Sequence, residues 1–163
     1  MPTIAIRSAV LAALLASASP TSAREPVAKA IQASSLSSSA RSAASAVDAF
    51  HAALRRGDTR SAAALLATDA LIFEGGGVER SRAEYASHHL AADAAYSQAV
   101  PAVVTRRSGD SAGSVAWIAS EGRTTGTFKG KAVNRVTAET MVLRRIGRSW
   151  KIVHIHWSSA AKP

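Results

Sequence analysis

Apolar residues recur at two spacings along this chain, and the change from one to the other separates a helical first half from a β-rich second half. Ala43, Val47, Phe50 and Leu54 fall at i, i+4, i+7 and i+11, one face of a helix from about Ser42 to Arg56. Gly57 is its stop, and Asp58 caps a second helix through about Leu66, with Leu65 and Leu66 at its buried end. His51 lies off the apolar stripe and reads as an exposed surface residue. Ala70 to Glu74 is a short strand closed by Gly75, Gly76 and Gly77. Ser81 and Glu84 match a capping box, and the helix it opens runs to about Ala95. Tyr85, His88, His89, Ala92 and Tyr96 cluster on one side of that helix.

From Gln98 onward the pattern is β. Segments near 99–107, 113–123, 132–146 and 149–158 are rich in Val, Thr, Ile and Trp, and turn signals at Ser108 to Asp110, Gly126 to Gly130 and Ile146 to Arg148 separate them. Long strands with short turns predict an antiparallel meander. The fold class expected is therefore α+β, a curved antiparallel sheet with the N-terminal helices packed on its concave face. In the last segment strict alternation puts Trp150, Ile152, His154, His156 and Ser158 on one face, and Lys151, Val153, Ile155 and Trp157 on the other. The two histidines then sit roughly 6–7 Å apart on one side. A strand apolar on both faces belongs in a covered sheet. His154 and His156 are thus expected to point into an enclosed hollow beneath the Tyr85–Tyr96 helix, where buried imidazoles need partners.

Hydrophobic residues make up 47% of the 163, but many are Ala and aromatics are only 5%. The core must therefore lean on Phe50, Leu54, Leu65, Leu66, Phe73, Trp117, Phe128, Leu143, Trp150 and Trp157. The chain has no cysteine, which excludes disulfides, thiolate metal sites and Cys nucleophiles. Residues 1–23 read as a secretory signal peptide: Arg7, then the apolar run Ala9 to Ala16, then Thr21-Ser22-Ala23 at the cleavage positions. That run is far shorter than the roughly 20 residues that span a bilayer. Residues 24–44, dominated by Ser and Ala, read as a flexible linker. The remaining 45–160 form the folded domain, and the mature protein is expected to be exported, periplasmic or secreted, without a membrane span. The formal charge of +9 falls to about +8 without Arg7. Its basic residues are dispersed and not interleaved with aromatics, so a solvated surface is the reading and no nucleic acid is expected.

Among chemistry-bearing residues, Gly75 to Gly77 lack the Gly-Lys-Ser/Thr of a phosphate loop, and no nucleophile elbow occurs. The catalytic candidates are Glu121, Glu139, His154, His156 and Tyr85. A carboxylate in an apolar hollow would have a raised pKa and take a proton near neutrality. Arg135, Thr137, Glu139, Met141 and Leu143 share a face, so Arg135, like Arg123 on its own strand, could neutralise such a carboxylate or bind an anion. The candidate ligand-binding set is Tyr85, His88, His89, Glu139, His154, His156 and Arg135. Each also has a structural reading, as backbone-bonded histidines, cross-strand ion pairs and a core tyrosine. His89, His154 and His156 with Glu74 are the set that could hold zinc or iron, although His-x-His alone does not establish a metal and no cofactor is expected.

Four phrases carry a resemblance: Phe50 to Asp58 (FHAALRRGD), Glu79 to Leu90 (ERSRAEYASHHL), Glu139 to Leu143 (ETMVL) and Trp150 to Ser158 (WKIVHIHWS). With the order of elements, they resemble the SnoaL-like, ketosteroid-isomerase-like branch of the nuclear-transport-factor-2-like superfamily over about residues 45–160. The last phrase is also similar to the closing strand of the association domain of calcium/calmodulin-dependent kinases. The resemblance implies a cone-shaped fold, a pocket between the concave sheet and its helices, and homodimers through the outer sheet face. It implies isomerases, cyclases, dehydratases or modules that only bind or assemble. The general-base Asp and Tyr-centred oxyanion site of ketosteroid isomerases have no matching positions here. The reading is a small-molecule-binding protein, an anionic ligand included, with an isomerase or dehydratase using a Glu base and a dimeric assembly module as the alternatives.

Overall fold

The computed structural model describes residues 36–162. The signal-peptide reading of 1–23, and the part of the linker reading before Leu36, lie outside the described residues. The end of that linker is folded. Leu36 bridges to Gly109 and the Ser37 amide donates to the Gly109 carbonyl at 3.0 Å. Ala40, Ala43 and Ala44 are buried in the core. Alanine lets a helix sit close to the sheet, so a Ser/Ala composition that looked unable to offset ordering serves as packing surface instead.

Helix α1 (Arg41–Arg55) buries Ala43, Val47, Phe50 and Leu54 as its spacing demands. The Trp150 indole donates to Ser42 Oγ at 2.9 Å and ties the helix to the last strand. Asp58 accepts the Ser61 amide at 3.0 Å and caps α2 (Thr59–Leu65). Strand β1 (Leu66–Glu74) and β2 (Gly77–Glu79) form a short hairpin. Ser81 Oγ accepts the Glu84 amide at 3.0 Å and starts α3 (Arg82–His88). The single helix expected to Ala95 is broken at His89, which ends α3 and begins α4 (Leu90–Ala99). The Tyr85–Tyr96 face is therefore not continuous: Tyr85 is buried, while His88 and His89 are exposed.

Strands β3 (Ala102–Ala112), β4 (Val115–Phe128), β5 (Lys131–Ile146) and β6 (Ser149–Ala161) form the meander. The sheet order is β2-β1-β6-β5-β4-β3, with helices against one face. All pairs are antiparallel except β1 with β6, which run parallel because the chain leaves β1 through two helices and the meander before closing beside it. The architecture is thus the α+β one expected, with this one parallel pair added. The β4–β5 turn is confined to Lys129 and Gly130, both at positive φ (49° and 76°), a geometry that suits the sheet's twist.

The expected phase of β6 is corrected. Val142 pairs with His154, but the next residue, Leu143, pairs with Ile152, so Val153 is an unpaired extra residue, a β-bulge. A one-residue slip exchanges faces. Before the bulge Trp150 and Ile152 face the helices, and after it Ile155 and Trp157 do, Ile155 opposite the fully buried Met141. His154 and His156 are turned to the outer face, where Phe73 packs edge-on against both rings and His154 Nδ1 donates to the Leu71 carbonyl at 3.0 Å. Burying a side chain such as Ile gains about 1.5–3 kcal/mol, whereas a buried unpaired imidazole costs, so the bulged phase wins.

Deleting Val153 should restore strict alternation and drive Ile155 and Trp157 out of the core. Losing the buried Ile155 and the half-buried Trp157, at about 2–5 kcal/mol for a fully buried side chain, approaches the whole stability of a domain. The deletion should show no cooperative urea transition by circular dichroism, while Val153→Ala, which keeps the register, should retain one. A cooperative deletion variant would contradict this account of the strand.

Candidate ligand cleft

Asp48, His51 and Arg55 recur at i, i+3 and i+7 and form a polar stripe beside the buried stripe of α1. This stripe overhangs the inner face of β3, β4 and β5 and, with α4, encloses a cleft of about 840 Å³. Three inner-face residues of β4 pair directly with three of β5: Ser120 with Glu139, Gly122 with Thr137 and Thr124 with Arg135. They make the cleft floor, and Tyr96, Val100 and Phe128 give an apolar wall.

Glu139 is the most connected group there. His51 Nε2 is 2.8 Å from Glu139 Oε2, and Trp157 Nε1 donates to the same oxygen at 2.7 Å. The Glu139 side chain is 10% exposed. Burial pushes its pKa up, but the His51 bond and charge, the Trp157 bond and the nearby Arg107 outweigh it and hold the carboxyl below its ordinary value. Glu139 is thus an anion that orients His51, not the raised-pKa base expected of a carboxylate in this hollow. Phe50 stacks on Trp157 with ring centroids 6.3 Å apart and fixes the indole from behind. Arg107 Nη1 donates to Asp48 Oδ1 at 2.6 Å and Nε to Ser120 Oγ at 3.2 Å, joining α1 to the floor.

A second polar group stands across Trp157. The Tyr85 hydroxyl donates to Asp93 Oδ2 at 2.7 Å, and its ring lies 6.4 Å from Trp157. His89 Nδ1 bonds the buried Glu79 carboxylate. Tyr85, Glu79, His89 and Glu74 border a smaller cavity of about 380 Å³, while Asp93 lines the main cleft, which Glu74 reaches as well. Burial raises the Asp93 pKa, and burial with the Asp93 charge raises that of Glu74. Burial and Asp93 push the Tyr85 hydroxyl far up, so it stays a proton donor. The Glu79 bond raises His89.

Of the sequence candidates, Glu139, Arg135 and Glu74 line the main cleft, Glu121 and His156 add to its lining although their strands turn them outward, Tyr85, His89 and Glu74 border the smaller cavity, and His88 and His154 reach neither. His154 and His156 lie on the outer face, and the bulge at Val153 is the reason. Glu121 is on the outer face of β4, its side chain 64% exposed and 3.9 Å from Arg106, and Arg123 is exposed two residues on. His88 is exposed, its ring 6.4 Å from that of His89. The set His89, His154, His156 and Glu74 is therefore split between two faces, and no group of three or more His, Cys, Asp or Glu among the described residues is placed to hold a metal. His51, Asp93, Arg107 and Trp157 were missed. The i, i+3, i+7 polar stripe of α1 is the signal that could have found His51.

The three carboxylates act in opposite senses as pH falls. Glu139 has a depressed pKa, so its contribution to stability is present above the ordinary carboxylate range and is lost as pH falls through the folded value. Asp93 and Glu74 have raised pKa values, so their cost at neutral pH is relieved on protonation. Glu139→Gln should lose about 1–3 kcal/mol at neutral pH, with the gap closing in acid, whereas Asp93→Asn should be stabilised at neutral pH and converge with the parent in acid. Urea unfolding across the acid range reads both, and parallel curves for parent and variants would refute the assignment.

The sequence of residues 43–162 matches the SnoaL-like domain family. No curated protein matches the chain. Among solved structures, a candidate ketosteroid isomerase from Shewanella frigidimarina is 39% identical over 72% of this chain and 94% of its own, with a TM-score of 0.69. A candidate calcium/calmodulin-dependent protein kinase II association domain from Xanthomonas campestris is 24% identical (79% and 93% covered, TM-score 0.63). A candidate dehydratase of the NTF2-like family from Streptomyces avermitilis is 20% identical (76% and 97% covered, TM-score 0.66). The last two share the fold. From Ala43 to Lys162 this chain belongs to the SnoaL-like family of the nuclear-transport-factor-2-like superfamily.

Proposed function

We propose that the protein is exported and binds a small organic molecule in the cleft between α1, α4 and the sheet, with His51 exchanging a proton with it. The observation that carries this reading is the ionised Glu139 bonded to His51 at the cleft wall. A carboxylate on Nε2 favours the tautomer with its proton there, which leaves Nδ1 as an acceptor. When it carries only the Nε2 proton, an imidazole so held can take a second one at Nδ1 from a carbon next to a carbonyl. This fits an isomerase or a dehydratase, the classes borne by the candidate names of two similar structures. The general base is then His51, not Glu139, whose charge orients it and stabilises the imidazolium formed.

His51→Gln keeps a donor for Glu139 but removes the base. Against a β,γ-unsaturated ketosteroid and a panel of β-hydroxy carbonyl compounds, it should leave affinity by calorimetry nearly unchanged and cut turnover by about 10²–10⁴-fold. Binding without turnover in the parent would reduce the proposal to a carrier. No binding by any panel member would remove it.

Export rests on the 1–23 pattern, and among the described residues no helix is long and apolar enough to cross a membrane. A homodimer through the outer sheet face is supported by its exposed apolar residues, including Val103, Val115, Trp117 (45% exposed) and Val136. Material recovered from the periplasm should begin at Arg24 and sediment as a dimer, with Trp117→Lys shifting it to monomer. An unprocessed chain, or a monomeric parent, would overturn the respective half.

A further inference from the structure

The far end of the cleft holds two polar groups that the fold leaves unmatched. Thr124 and Arg135 pair directly across β4 and β5 on the inner face. Thr124 is 6% exposed and lines the cleft, and its hydroxyl has no hydrogen-bond partner. Buried hydroxyls without partners are uncommon because desolvation is not repaid. Arg135 gives Nε to Ser159 Oγ at 2.9 Å and Nη2 to the Ser159 carbonyl at 3.1 Å. Those bonds occupy one edge of its guanidinium and leave donors on the other. Among the described residues no carboxylate lies within ion-pair distance of Arg135, whereas Arg107 has Asp48 and Arg144 has Asp69.

We propose that Thr124 and Arg135 form an anion subsite, so that the ligand is an elongated organic acid whose carboxylate binds there while its opposite end reaches His51. This rests on the cleft reading above and adds the chemical class of the ligand. A guanidinium on the residue paired directly with Thr124 suits a carboxylate, which accepts from its free edge and takes the Thr124 proton once that enclosed hydroxyl rotates into the cleft. A cationic ligand would meet Arg135 unfavourably. A neutral oxygen could satisfy Thr124 but would leave the guanidinium without a counter-charge.

The distance sets the shape. Arg135 and Glu139 are four residues apart on one strand face, about 13 Å. Between them the floor is Gly122 facing Thr137. A Cβ at Gly122 would come within 2.8 Å of the Val103 carbonyl and 3.0 Å of Thr137 Oγ1, so the floor stays low at that point. Val104, paired directly with Gly122, lines the cleft at this middle position, and Val100 and Phe128 line the cleft too. The ligand therefore has an apolar midsection between its acid and its reacting end. A short anion such as inorganic phosphate could fill the subsite but not touch His51.

The test compares an oxo-substituted dodecanoic acid with its methyl ester by calorimetry on the full folded chain. The acid should bind at least about tenfold tighter than the ester. Arg135→Gln should abolish that difference, and His51→Gln should preserve it. Thr124→Val should weaken the acid several-fold while raising the thermal midpoint of the unliganded protein, because it removes a buried orphan hydroxyl. Equal affinity of acid and ester for the parent, or an undiminished preference in Arg135→Gln, would overturn the subsite and leave the cleft reading standing. Binding of neither compound would overturn both.

Discussion

The inner face of β6 depends on a single unpaired residue. Val153 adds one position to the strand where β5 has none, and everything beyond it changes sides. With strict alternation the helices would rest on Trp150, Ile152 and then two imidazoles. With the bulge they rest on Trp150, Ile152, Ile155 and Trp157. The energetic preference is not subtle, since apolar burial is gained where polar desolvation would have been incurred. The functional result follows from the same offset. Only in this phase does the Trp157 indole face Glu139 and fix the oxygen that His51 also contacts.

Much of the fold was legible because its elements obey simple periods. The α1 stripe, the Asp58 and Ser81 caps and strands β5 and β6 appear where spacing and turn residues put them, whereas Ser108 to Asp110, read as a turn, lie within β3, and the chain turns at Gly113 instead. Alternation also worked on β5, where Arg135, Thr137, Glu139, Met141 and Leu143 do share the inner face. The same rule failed on β6, and the sequence gives no warning, because Val153 looks like any other strand residue. A bulge is decided by which face must be buried, and that is a property of the assembled sheet.

His51 was misread for a related reason. Standing off an apolar stripe implies exposure only if nothing else covers that flank, and here the curved sheet does so. The helix break at His89 likewise cost the expected aromatic and imidazole face. Tyr85 turned inward to Asp93, and His89 bonded to Glu79. The two carboxylate settings in the interior differ in kind as a consequence. Glu139 is kept ionised by cationic and indole partners, while Asp93 and Glu74 are crowded among like charges and apolar surface. Groups whose environments drive their proton affinities apart in one enclosure suit directional proton movement.

Trp157 carries one more consequence. Its ring is held between Phe50 and Tyr85 and its N–H rests on a carboxylate. The excited state of an indole has a large dipole, and a charge fixed at its N–H shifts the energy of the emitted light. The protein therefore contains its own optical gauge of the interior, in which the colour of one tryptophan's fluorescence follows the charge on Glu139.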